Sequence, residues 1–470
     1  MRISFLPGLV LLVCVSLCSF AVEITPQPAG LVIIDGMLPG GGGEEVRLIR
    51  YKDRISNQSE EIAADVVADD GRFGFSVEIE DPQEVYLRVF HSYNPLYIMP
   101  GGEYTISFTG PDEDHGFYPM SHDPGMEVEC TNCGGNDINT LISDFNVMVG
   151  DYLENYVAGN IRANHSHSLS RFIHKTDSLF ELSNNEYFSR YRTYYTAYLK
   201  HALNTSSDAS LIESYIIDRP LLHLNPMYSD FAKNVLGSYI FGSSRSLNQE
   251  DMIIAVTHSE SFSGLMETLG RDSLFINEHV RELAALVGLQ AMLNMDDFDN
   301  KKVIDMLKQA ARDFRFKEHS LIAENIASRH ARLGPGSPAP DFTLFDNEGR
   351  ALSLDDFRGR YLYLIFWAAW CPVSMSETGP AADLHTLFGD RISFLAVFTD
   401  REGENAARFT GQDILPFRAV HFGSNYRFLD DYRVRSVPQY ILIGPDGRIV
   451  FYPFVSPSGG AGERLRRLTR

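Results

Sequence analysis

The chain has 470 residues, 44% of them apolar and 12% aromatic, with a formal net charge of -21. That length exceeds one ordinary core and points to two to four domains, with ample apolar content to fill them. The acidic balance argues against nucleic acid and anionic lipid as partners, since both repel a surface of the same sign.

Residues 1–21 read as a secretory signal: Arg2, an apolar stretch from Phe5 to Phe20, then Ser19-Phe20-Ala21 as a small-x-Ala cleavage site, so that the mature chain begins near Val22. Cys14 and Cys18 fall inside it, but the bulky Val13 and Leu17 before them do not suit lipidation, and a cleaved signal fits better than a lipid anchor. No later segment reaches about 18 uninterrupted apolar residues, so no stable transmembrane span is expected in the mature chain. Export to the periplasm or cell envelope leaves Cys130, Cys133 and Cys371 in an oxidising compartment. An odd count means that at least one thiol lacks a permanent partner.

Residues 22–125 carry short alternating runs, among them Gly30-Leu31-Val32-Ile33-Ile34, Val46-Arg47-Leu48-Ile49-Arg50 and Val85-Tyr86-Leu87-Arg88-Val89, separated by turn signals such as Asp70-Gly71 and Pro100-Gly101-Gly102. This pattern predicts a small antiparallel β-sandwich. It holds no catalytic constellation and reads as a binding or spacing module.

Within residues 126–333 the period changes to the helical i, i+3, i+4 spacing, as in Ile138-Leu141-Ile142-Phe145 and Leu283-Leu286-Val287, with breaks at Arg219-Pro220, Asn225-Pro226 and Gly242-Ser243. Eight to ten helices are expected, and their many Tyr and Phe residues read as core. Cys130-Thr131-Asn132-Cys133 opens this region. Three readings fit it: a local disulfide stapling a loop, a relay that resolves Cys371, or a zinc site shared with His115 and His122, whose spacing is unfamiliar.

Gly334-Pro335-Gly336-Ser337-Pro338-Ala339-Pro340 reads as a linker, and residues 334–470 after it follow βαβ order. Strands are predicted at 361–367 and 392–398, a helix from Ser374, a helix around 403–410, and a hairpin turning at Pro445-Asp446-Gly447. The apolar run Tyr361–Trp367 ends in Ala368-Ala369-Trp370-Cys371-Pro372-Val373-Ser374. A cysteine where a strand turns into a helix faces the unpaired N–H groups and positive dipole end of that helix, which favour a nucleophilic thiolate.

Several separated pieces of this region resemble the TlpA/ResA-like branch of the thioredoxin superfamily. They are Ala339-Pro340-Asp341-Phe342-Thr343-Leu344, Leu352-Ser353-Leu354-Asp355-Asp356-Phe357-Arg358-Gly359-Arg360, Phe366-Trp367-Ala368-Ala369-Trp370-Cys371-Pro372, and Val437-Pro438 before a hairpin. The whole-chain order is similar to envelope thioredoxin-family proteins of Bacteroidetes-type bacteria. The resemblance implies a C-terminal α/β thioredoxin-like domain, Cys371 as attacking thiol, Pro438 as a cis-proline shaping the substrate edge, Trp370 shielding the sulfur, and Glu377 at the position of an acid. It also implies thiol or disulfide-containing envelope proteins as partners, an upstream thiol reductant, and no metal or other cofactor.

Two departures matter. Ser374 replaces the resolving cysteine, and Ile365 stands where many thioredoxins bury an acid. A hydroxyl cannot attack a mixed disulfide near neutral pH, so the chemistry left is of monothiol (Cys-x-x-Ser) type, released by an outside thiol. Ser374 is expected to cap the helix or to hydrogen-bond the sulfur. The competing reading is a non-catalytic thioredoxin-fold binding or chaperone-like protein. Peroxidase chemistry is disfavoured because Trp367-Ala368-Ala369-Trp370, rather than a Thr-x-x-Cys loop, precedes the sulfur.

Overall fold

The computed structural model describes residues 30–90, 92–109, 126–157, 165–295, 297–346, 348–400, 415–423 and 425–468. The signal at 1–21, His115, His122 and the helix expected around 403–410 lie outside the described residues.

The N-terminal strands are β1 (Gly30–Met37), β2 (Glu45–Asp53), β3 (Gln58–Val66), β4 (Arg72–Ile79), β5 (Gln83–Val89), β6 (Ser92–Ile98), β7 (Glu103–Thr109) and β8 (Glu127–Cys130). They form two four-stranded sheets, ordered β4-β1-β7-β8 and β3-β2-β5-β6. Alternation sets the faces: Val32 and Ile34 of β1 and Phe73, Phe75 and Val77 of β4 meet Val46, Leu48, Val85 and Leu87 of the other sheet in one apolar core. One expectation fails, because β1 and β7 pair in parallel, Ile33 opposite Glu103. Alternation fixes which side chains are buried but carries no information on strand direction. β8 pairs with β7, Ile106 opposite Cys130, so this sheet runs past residue 125.

Ten α-helices follow among the described residues: α1 (Ile138–Val157), α2 (His165–Leu179), α3 (Glu186–Ala202), α4 (Asp208–Tyr215), α5 (Pro226–Ser238), α6 (Gln249–Ile253), α7 (Phe262–Leu269), α8 (Glu278–Met292), α9 (Asn300–Asp313) and α10 (Lys317–Ala331). Their starts follow local chemistry. The Asn225 side chain accepts from Tyr228 N–H while Pro226 takes the first turn, where its missing donor costs nothing. α8 is buried nearly all round, with Leu283, Leu286, Val287 and Leu289 in the largest core. α5, α7, α9 and α10 pack against it.

The C-terminal domain contains β9 (Thr343–Phe345), β10 (Ala351–Ser353), β11 (Tyr361–Trp367), α11 (Pro372–Ser376), α12 (Thr378–Phe388), β12 (Ile392–Phe398), β13 (Arg418–His421), α13 (Tyr426–Asp431), β14 (Gln439–Ile443), β15 (Ile449–Phe451) and α14 (Gly462–Leu468). Its seven-stranded sheet has the order β10-β9-β13-β12-β11-β14-β15, with β11 parallel to β12 and antiparallel to β14. Leu362, Leu364 and Phe366 face a core with Phe428 and Tyr432, whereas Tyr363, Ile365 and Trp367 face a second core with Ala381, Leu384 and Leu465. A central strand covered on both faces must be apolar throughout, which is why its sequence shows no alternation. At the β14–β15 turn Gly447 adopts φ 74°, a left-handed conformation that favours glycine.

The expected linker is built into this domain. Gly336 N–H donates to Ile449 O at 2.7 Å, Ile449 N–H to Ser337 O at 2.8 Å, and Ala339 N–H to Gly447 O at 3.0 Å. Proline and glycine here serve a sheet edge, where missing donors are tolerated.

The β-sheet domain docks on the C-terminal domain through α13. Asp430 accepts from Arg47 and Arg88 at 2.7 Å each, Arg427 pairs with Glu45 and Glu61, and Phe90 packs edge-on to Tyr426. It also meets the helices: Gln290 donates to Ile55 O, Asn325 to Asp53, and Arg329 to Ser56 O.

Candidate active site

The site grows from the end of β11. Thr399 holds that end by donating its N–H and hydroxyl to Trp367 O at 2.8 and 3.1 Å. The buried carboxylate of Asp400 accepts Ala369 N–H with both oxygens at 3.0 Å, and Cys371 N–H donates to Ala368 O at 3.1 Å. These bonds bend the chain sharply and deliver Cys371 to the N-cap of α11, with Met375 N–H donating to Cys371 O at 3.0 Å. Pro372 takes the first helical position, where it loses no hydrogen bond. The helix breaks at Glu377 before α12 because Pro380 lacks an N–H and its ring crowds the carbonyl four residues back.

Cys371 is the free cysteine among the described residues and is 8% exposed. Its Sγ lies 3.5 Å from the carbonyl oxygen of Val437, and the Val437-Pro438 bond is cis. Trp370 and Val373 flank the sulfur in sequence and are 39% and 59% exposed. An apolar rim around a recessed sulfur therefore faces solvent. Trp370 and Cys371 thus fall on the β11–α11 turn, Ser374 within α11, and Pro438 on the loop that leads into β14.

Ser374 departs from its expected cap. The N-cap is Cys371, and Ser374 sits inside α11, fully buried, with its hydroxyl lacking a hydrogen-bond partner among the described residues. Glu377 is also buried, and its carboxylate accepts Ser458 N–H at 2.9 Å and the Ser458 hydroxyl. It ties α11–α12 to the turn before α14. Ile365 is buried in the second core, packed with Trp367 and Tyr440. Burial pushes the Tyr440 phenol well above its ordinary range, so it is a neutral donor at physiological pH.

Cys130 and Cys133 form a disulfide with Cα atoms 5.4 Å apart, at the end of β8. The turn they close is fixed to β7: Asn132 accepts Thr105 N–H at 2.8 Å and donates to Glu103 O at 3.0 Å. Both cysteines pack against the β-sheet core. The histidines considered with them for zinc lie outside the described residues, and no group of three or more His, Cys, Asp or Glu among the described residues could hold a metal ion.

Sequence reading missed Asp400 and Ser458. An acid closing a predicted buried strand was a signal for Asp400, since a carboxylate there must find a donor. Ser458 offered no signal, because its partner lies far away in the chain.

A seven-stranded mixed sheet, a cysteine at a strand-to-helix turn and an opposing cis-proline define a thioredoxin-like domain. Residues 335–452 match the model of the AhpC/TSA family. The chain is 30% identical over 129 residues to the thiol-disulfide oxidoreductase ResA of Geobacillus thermodenitrificans, covering 27% of this chain and 74% of that protein. It is 29% identical over 119 residues to ResA of Bacillus subtilis, covering 25% and 66%. The thioredoxin domain of a thiol-disulfide oxidoreductase from Bacteroides vulgatus aligns with 29% of this chain and 99% of its own length, at 27% identity and a TM-score of 0.28. Through this domain the chain belongs to the AhpC/TSA thioredoxin-like family, with ResA-type thiol-disulfide oxidoreductases as its relatives. No helix among the described residues is long and apolar enough to cross a membrane.

Proposed function

We propose that this chain is an exported thiol-disulfide oxidoreductase of monothiol type, acting on thiol or disulfide-containing proteins of the envelope. The observation that supports it is a sulfur, the free one among the described residues, at a helix N-cap, 3.5 Å from the carbonyl before a cis-proline, with serine in the place of a resolving thiol. The Cys371 thiolate attacks one sulfur of a client disulfide. That bond breaks, a Cys371–client disulfide forms, and the departing thiolate takes a proton from water. An outside thiolate then attacks the mixed disulfide and frees Cys371, because Ser374 cannot. Trp370 and Val373 supply an apolar contact, and the chain before Pro438 offers backbone groups to an extended client segment. The β-sheet and helical regions bind or position clients.

The test incubates the reduced full chain with a disulfide-bonded protein such as insulin and follows adducts on non-reducing gels. A long-lived adduct that disappears in Cys371→Ser, and decays rapidly in Ser374→Cys, is expected. Ser374→Cys also replaces an unsatisfied buried hydroxyl, so the variant should fold. An absence of any adduct that depends on Cys371 refutes the reading. The recessed sulfur, 8% exposed, favours one second reading, a docking protein. Client binding that survives intact in Cys371→Ser, without adducts in the unmodified chain, would establish it.

A further inference from the structure

The junction of the three regions forms a half-open cavity of about 950 Å³ whose walls come from β2, β3, β5 and β6, from α5 and α10, and from α13 and the loop after it. Seven arginines and five carboxylates line it, in a chain whose overall charge is strongly negative. Every one of those carboxylates is already engaged. Asp430 holds Arg47 and Arg88, Asp431 holds Arg332, Glu61 holds Arg427, Glu60 holds Arg50 and Lys52, and Asp230 holds Lys233 at 3.0 Å. Arg54 pairs with Glu84 at 3.5 Å.

Three guanidiniums remain. Arg329 donates to Ser56 O and Arg433 to Arg329 O, neutral acceptors, and Arg435 is exposed. Among the described residues, none of the three has a carboxylate within ion-pair distance. Burial, and then the neighbouring guanidiniums, depress the Arg433 pKa, so these like charges raise one another's energy. A cluster of positive charge without counter-charge among the described residues, two of its members half-buried and the third exposed, is the arrangement that an anion relieves, and arginine's planar fork matches carboxylate and phosphate oxygens.

We propose that this cavity binds an organic polyanion, a small molecule carrying at least two carboxylate or phosphate groups, with Arg329, Arg433 and Arg435 as its charge partners. The volume lies near the top of the range of small-molecule sites, roughly 300–1,000 Å³, and is far larger than one inorganic anion needs. Tyr51, Tyr86, Tyr93 and Tyr452 add aromatic faces and hydroxyls for the body of such a ligand. Arg433 and Arg435 lie on the stretch that leads into Val437-Pro438, and Val437 O is the atom 3.5 Å from Cys371 Sγ. The ligand therefore bridges the regions and braces the chain beside the sulfur.

The test titrates the full chain with citrate and, separately, fructose 1,6-bisphosphate, with potassium chloride holding ionic strength constant, and reads affinity by calorimetry and Tm by scanning fluorimetry. Saturable binding of either probe with a rise in Tm is expected, and the better probe names the oxyanion. Arg435→Gln alone and Arg433→Gln with Arg435→Gln should weaken it by at least about tenfold, while Arg72→Gln on β4 should leave it unchanged. Because Arg435 is exposed and has no ion pair among the described residues, its substitution should leave the fold intact. No saturable binding of either probe, or binding equally tight in the arginine variants, overturns the proposal.

Discussion

Replacing Asp430 with alanine should loosen the thioredoxin-like domain from its neighbour. The carboxylate meets the guanidiniums of Arg47 and Arg88 at 2.7 Å each, and these two side chains are only 8% and 4% exposed. Removing one partner of a buried pair costs about 3–5 kcal/mol, because the remaining charge keeps its desolvation penalty without its counter-charge. Asp430 itself is 22% exposed, and Arg47 retains Glu45 at 3.8 Å and Glu61 at 3.9 Å, so the lower end, about 3 kcal/mol, applies. Most of that falls on Arg88, whose guanidinium sits 4.0 Å from the centre of the Tyr93 ring. The assay is well placed, since both tryptophans, Trp367 and Trp370, lie in the thioredoxin-like domain. Urea unfolding followed by tryptophan fluorescence reports that domain, while far-ultraviolet circular dichroism reports the whole chain. The two curves should separate in Asp430→Ala, the fluorescence transition moving to lower urea. Adding Arg88→Leu should recover part of the loss, because a buried guanidinium that has lost its Asp430 counter-charge is then removed. A change below about 1 kcal/mol, the range of a surface ion pair, would refute the reasoning.

Glu377→Gln weakens charge-assisted bonds to Ser458 and should cost the thioredoxin-like domain about 1–2 kcal/mol by urea titration. Unchanged stability with slowed thiol exchange would instead make Glu377 an acid–base group. Burial, and then the Arg329 and Arg433 guanidiniums, lower the His330 pKa from 6.5 to about 4. Between those values the unfolded chain binds a proton that the native chain refuses, so stability is full above the unfolded value and falls as pH drops toward the folded one. His330→Gln should flatten that part of the profile in thermal scans at pH 7, 5.5 and 4.5, and an unaltered slope would remove His330 from the account.

The outline of the C-terminal domain was legible because its signals are local. An unbroken apolar run as short as Tyr361 to Trp367 reads as a strand covered on both faces, and a cysteine followed by proline at its end marks a helix start. The break at Asn225-Pro226 was legible for the same reason, and in the structure it is the start of α5. Strand direction in the first sheets was not, because alternation is the same whichever way a neighbour runs.

Sequence alone determined which side chains seek the interior and where a cysteine stands at the turn from strand to helix, since both follow from the covalent order of a few adjacent residues. Tertiary structure decided the fate of the charged ones. Arg47, Glu84 and Arg88 stand on strands where alternation assigns polar residues to solvent, yet each is less than 9% exposed because another region packs over that face. It also decided that the glycine- and proline-rich stretch at 334–340 would edge a sheet, that the Ser374 hydroxyl would find no partner among the described residues, and that Arg329, Arg433 and Arg435 would share one cavity. Burial and charge pairing are properties of surfaces brought together from distant parts of the chain, and no local pattern specifies who the neighbour will be.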